Sequence, residues 1–76
     1  MSQYDDLDAA ILARIDAGHT QFINIHEGAV LAESRRLADQ TGRAAFRVVD
    51  GRLQSLRKRG LIEFARGFGW LKRASK

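Results

Sequence analysis

Side chains able to act as nucleophile, base or metal ligand are sparse in this chain. His19 and His26 are its only histidines and there is no cysteine, so neither a disulfide framework nor a thiolate metal site is available. His26-Glu27 is followed at position 30 by valine, where a zinc-protease helix would carry its second histidine. No Gly-x-x-x-x-Gly-Lys-Ser/Thr loop occurs, and Gly67-Phe68-Gly69 is followed at position 72 by lysine instead of a third glycine, so no phosphate-cradling loop is present. The carboxylates Asp5, Asp6 and Asp8 gather in a polar stretch with no apolar pocket to raise a pKa for acid catalysis. The expectation is a protein that is not an enzyme and holds no metal or cofactor.

What the chain offers in place of catalysis is charge. The formal net charge is +4, but residues 1–34 hold one arginine against six acids, residues 35–60 hold eight Lys or Arg against two, and residues 61–76 hold four against one. A basic carboxyl half on an acidic amino half points to a face that meets a polyanion. The same residues serve equally as solvated surface.

The elements that must carry this charge follow from periodicity. Asp5 to Ala17 reads as a first helix: Leu7, Ile11 and Ile15 recur every four residues beside Ala10, acidic residues sit at its positive amino end, and Gly18 stops it. Gln21-Phe22-Ile23-Asn24-Ile25 is aromatic and β-branched and reads as a short strand. Gly28 to Gln40 reads as a second helix, with Val30, Leu31, Ser34, Leu37, Ala38 and Thr41 inward and Glu33, Arg35, Arg36 and Asp39 outward. Gly42 closes it where a helix-turn-helix corner needs a stop. Arg43 to Gly60 reads as a third helix. Phe46, Val49, Leu53 and Leu56 form its apolar side, with Arg43, Arg47, Gly51, Gln54 and Lys58 opposite. Leu61 to Arg73 reads as a β-hairpin turning at Gly67 and Gly69, with Trp70 in the core over Ile62 and Phe64. Ala74, Ser75 and Lys76 are expected to fray.

Two readings compete inside the third helix. Asp50-Gly51 is a favoured hairpin turn, and Phe46-Arg47-Val48-Val49 before it could form a strand. Asp50 could also cap a helix that begins at Gly51. Against the turn, Leu53 to Arg59 is built of good helix formers and ends at Gly60.

With 76 residues, 45% of them hydrophobic and 29% charged, the chain is expected to form one globular domain using most of its apolar side chains in a single core. Met1 to Asp8 is polar and acidic, and no apolar run approaches the roughly 18 residues of a membrane span. Cytoplasm is the expected compartment and no membrane contact is expected.

The order α-β-α-α-β-β, mainly α with a small β-hairpin (α+β), resembles the three-helix winged helix-turn-helix DNA-binding domains of small bacterial and phage transcriptional regulators. The likeness is carried by Val49-Asp50-Gly51-Arg52-Leu53-Gln54-Ser55-Leu56-Arg57-Lys58-Arg59-Gly60-Leu61-Ile62 leading into a glycine-containing basic hairpin, and it covers residues 5–73. Val49, Leu53, Leu56 and the Gly60-Leu61-Ile62 exit match the family's third helix. Gly51 departs from it, standing where many relatives carry a polar or basic reading residue.

The resemblance implies that the third helix enters the major groove of duplex DNA while the hairpin lies along the backbone as a wing. Arg47, Asp50 and Gln54 would face base edges. Arg43, Arg52, Arg57 and Lys58 would meet phosphates, as would Arg66, Lys72 and Arg73 from the wing, with Phe68 at its tip available to a groove or a partner. Local alternatives stand beside these roles. Asp50 could pair with Arg47 one turn back, Gly51 could permit close approach to a phosphate or merely be tolerated, and neighbours Arg57, Lys58 and Arg59 cannot all face one way. A single such module covers roughly 600–1,000 Å² of DNA, which suggests a homodimer or a protein partner, with Tyr4, Leu12 and Leu71 as contacts. No small-molecule effector pocket is expected in so short a chain. The competing functions are a winged-helix adaptor whose basic face meets an acidic protein, and RNA binding.

Overall fold

The computed structural model describes residues 3–73, so the expected frayed tail lies outside the described residues. Four helices precede an antiparallel hairpin: α1 (Asp5–Asp16), α2 (Phe22–Ile25), α3 (Gly28–Thr41), α4 (Ala45–Lys58), β1 (Ile62–Ala65) and β2 (Gly69–Lys72). The α+β class holds, and the long helices and the hairpin fall where the periodicity placed them.

Apolar spacing explains how these elements close on one core. Leu7, Ile11 and Ile15 from α1, Val30 and Leu37 from α3, and Val48, Val49, Leu53 and Leu56 from α4 are buried together with Ile25, Ile62 and Trp70. α1 packs on α3, α4 and β2, and α4 packs on α3 and β1. Ser34 is buried within the apolar face of α3 because its hydroxyl donates to the Leu31 carbonyl, 2.9 Å away, which satisfies the polar group locally. Gly42, at φ 76°, ends α3 and donates its N–H to the Ala38 carbonyl. α4 then begins at Ala45, two residues later than the sequence suggests.

Two local expectations are corrected. The stretch Gln21 to Ile25 is a single helical turn, not a strand: the Gln21 carbonyl accepts the N–H groups of both Asn24 and Ile25. Among the described residues, the one backbone hydrogen bond between this segment and the hairpin is at Thr20, whose carbonyl accepts the Trp70 N–H at 2.7 Å. Beyond that point the backbone has no edge to pair with, so it satisfies its polar groups within itself. The turn buries Ile25 and leaves Ile23 at 73% exposed.

The second correction concerns the buried arc of α4. Phe46 is 53% exposed, and Val48 takes its place in the core at 4%. α1 and α3 both lie against α4, and Tyr4 and Arg52 share a hollow with Val48. That rotates the buried side toward Val48 and leaves the first turn of α4 uncovered.

Asp50-Gly51 forms no turn, since α4 runs through both residues without a break. Gly51 is exposed, and no atom lies within 4 Å of where its Cβ would stand. Gly51→Ala is therefore expected to stabilise the fold by about 1 kcal/mol through helix propensity. A thermal melt should rise by about 4–8 °C; an unchanged or lower midpoint would contradict an uninterrupted helix at this position.

In the hairpin, Ile62 faces Lys72, Glu63 faces Leu71, Phe64 faces Trp70 and Ala65 faces Gly69. The chain reverses through residues 66–68, with the Phe68 N–H donating to the Ala65 carbonyl. Trp70 is buried, as expected, and its ring meets Phe64 edge-on at 5.1 Å between centroids.

Candidate nucleic-acid interface

The side of α4 turned away from the core carries the residues expected to meet DNA. Arg43, just before α4, and Arg47 and Lys58 on it are exposed, and none forms an ion pair among the described residues. The local pairing of Asp50 with Arg47 is not made either. Arg47 instead lays its guanidinium over the Phe46 ring, 5.7 Å from the centroid, an arrangement that holds the charge outward. Phe46, lost to the core, thus becomes the platform of an exposed arginine.

Not every expected cation is free. Arg52, expected on phosphate, turns inward and forks onto Asp8, with Nε and Nη2 at 2.9 and 2.8 Å from the two carboxylate oxygens. The Tyr4 ring lies under its guanidinium at 4.6 Å. The hydrogen bonds that Arg52 donates to Asp8 are the main cause that raises its pKa, and its charge is already engaged within the fold. Arg59 stands 3.7 Å from the same carboxylate. Lys72 pairs with Asp16 at 3.5 Å, an exposed contact that a phosphate could displace. Arg57 donates from Nε to the Gln54 side-chain oxygen at 3.1 Å.

The hairpin is tied to the segment that leads into α2. Besides the Trp70 to Thr20 bond, the Gln21 amide donates to the Phe68 carbonyl at 3.0 Å. Arg66 and Phe68 on the reversal and Arg73 after β2 are exposed. The segment around α2 is held in turn by Arg14, which donates to the Asn24 carbonyl at 2.6 Å and lies 3.6 Å from Glu27.

Between α4 and the hairpin lies an open cleft of about 660 Å³ lined by Phe22, Asp50, Gln54, Arg57, Phe64 and Trp70. Chain length argued against such a pocket. It exists because α2 brings Phe22 to the side of the hairpin, leaving Phe64 56% exposed at its wall. Phe22 rests on the His26 ring at 5.5 Å. Burial, and then the nearby Arg35, hold the His26 pKa below its ordinary 6.5, so this support is a neutral imidazole at pH 7. Asp50 and Gln54 thus face the cleft, while Arg47 faces solvent.

Tyr4 and Leu12 are partly buried against the core, and Leu71 is half-buried. The participation of Asp8 and Phe22 had no signal in the local sequence. Asp8 reads as one of three acids at a helix start, and its partner is 44 residues away.

No protein-family profile, no curated protein and no solved structure matches the chain. No helix of the described residues is long and apolar enough to cross a membrane.

Proposed function

We propose that the protein binds double-stranded DNA with some sequence preference, as a winged helix-turn-helix domain and a regulator of transcription. The observation that carries this reading is the face formed by Arg43, Arg47 and Lys58, exposed and with no carboxylate partner among the described residues, beside an anchored hairpin bearing Arg66 and Arg73. α3 and the turn at Gly42 brace α4, whose solvent side enters the major groove, and the hairpin lies on the backbone. Arg47 is the residue best placed for a guanine edge. Arg43, Lys58, Arg66 and Arg73 contribute affinity through phosphates, and Arg52 contributes to the fold alone.

The test is a titration of duplex DNA over a salt series. Affinity should fall by about 0.9 log unit per log unit of salt for each phosphate neutralised. Arg47→Ala should weaken binding to a preferred sequence, recovered from a random duplex pool, by about tenfold, within the range of one good base contact. It should affect unrelated duplex less. Absence of duplex binding at low salt would refute the reading. The exposed aromatic wall of the cleft favours one alternative, an adaptor that docks a protein segment; a nuclease-resistant complex with a purified acidic partner and no duplex affinity would support it.

A further inference from the structure

We propose that the cleft between α4 and the hairpin receives a single unstacked nucleobase of the bound DNA, an inference that rests on the DNA-binding reading. One wall is aromatic. Phe22, Phe64 and Trp70 line it, and Phe64 is open to solvent while braced edge-on by the buried Trp70. A base extruded from its stack finds on such rings the apolar contact it has lost.

The opposite wall is polar, and its chemistry is specific. Asp50 contributes a carboxylate with no ion-pair partner among the described residues. Gln54 has its oxygen engaged by Arg57 Nε, which leaves its amide nitrogen and the remaining guanidinium N–H groups to donate. An acceptor beside two donors complements a base edge that carries an amino group next to ring and carbonyl acceptors, as cytosine does.

Other occupants fit less well. A backbone phosphate or an acidic peptide would meet the Asp50 carboxylate, and a purely apolar side chain would strand three polar groups against it. At about 660 Å³ the cleft is within the size range of small-ligand sites and is large enough for a nucleoside. Its position agrees with the same occupant. With α4 in the major groove and the hairpin on the backbone, the cleft faces the strand that separates the two grooves, the side from which an extruded nucleotide emerges.

The test compares two duplexes of identical flanking sequence, one fully paired and one with a single unpaired cytosine, with a 2-aminopurine reporter at the unpaired position in a parallel sample. The bulged duplex should bind at least about fivefold more tightly, the lower end of what one base on an aromatic ring contributes, and the reporter fluorescence should change on binding. Phe64→Ala should abolish the difference while binding the paired duplex as before, with a melt to show that the fold is retained. Equal affinity for the two duplexes, or a preference that survives Phe64→Ala, would overturn the cleft assignment alone. Binding to neither duplex at low salt would overturn the DNA-binding reading and this inference with it.

Discussion

Asp8→Ala is expected to lower the stability of the fold by about 2–3 kcal/mol. The carboxylate is 8% exposed as a residue and receives two hydrogen bonds from Arg52, whose side chain is itself only 20% exposed. Truncating one member of a buried pair leaves the other as an uncompensated charge, at a cost of about 3–5 kcal/mol when water is fully excluded. Arg52 keeps some contact with solvent and the Tyr4 ring beneath it, which places the expected loss below that range. For a domain of this size the melting midpoint should drop by about 8–24 °C. The double variant Asp8→Ala with Arg52→Met should recover most of the loss, because removing both charges leaves nothing stranded. A midpoint within a degree of the parent for Asp8→Ala would show that the pair does not bind α1 to α4. The same pair separates fold from function at Arg52. Arg52→Met should leave the salt slope of the proposed DNA binding unchanged, where loss of a phosphate contact would reduce it by about one.

Gly69→Ala is expected to have an effect of similar size for a different reason. Gly69 opens β2 at φ 102°, a conformation that L side chains rarely adopt, and an added Cβ would collide with the Thr20 carbonyl oxygen while standing 2.9 Å from its carbon. Both partners are backbone, and the Thr20 oxygen is held by the Trp70 N–H at 2.7 Å. Neither can yield without parting the hairpin from the rest of the domain. The positive φ costs about 1–2 kcal/mol on its own, and a weakened buried hydrogen bond adds about 1 kcal/mol or more, so about 3 kcal/mol is expected. Gly67→Ala is the control. It too has a positive φ, 84°, but no atom lies within 4 Å of its added Cβ, so only the conformational cost applies. Thermal melts and the emission of Trp70, the sole tryptophan, read the two variants. Equal destabilisation by both would show that the close approach at Thr20 does not hold the hairpin.

The apolar repeats were a sufficient guide to most of the architecture. Leu7, Ile11 and Ile15, Val30, Ser34 and Leu37 of α3, and Val49, Leu53 and Leu56 of α4 are buried as their spacing requires, while Leu31, Ala38 and Thr41 of α3 are only partly buried. Glycines at 42, 60 and 67 adopt the positive φ that a helix stop or a tight turn calls for. The strand expected at Gln21 to Ile25 failed because β-branched composition states a preference that only a neighbouring edge can satisfy, and among the described residues the hairpin's backbone pairs with this segment at Thr20 alone. Phe46 failed for a related reason: period assigns it to the apolar side, but burial needs an element lying over that turn of the helix.

The candidate interface divides in the same way. That α4 is basic and amphipathic, and that the carboxyl half of the chain carries the positive charge, is written in residue order, because both depend on spacing within one helix and on counting. Which cations remain free is not. Arg52 and Arg47 look alike in the sequence, yet one is bound to a carboxylate 44 residues away and the other is held outward over a phenyl ring. The sequence by itself determined the three long helices, the hairpin and the sign of the face they present, since these follow from local periodicity and composition. Tertiary structure alone decided which charges that face keeps and that a cleft with one aromatic wall opens beside it, since both depend on which distant side chains the packing of α1 and α2 brings against α4 and the hairpin.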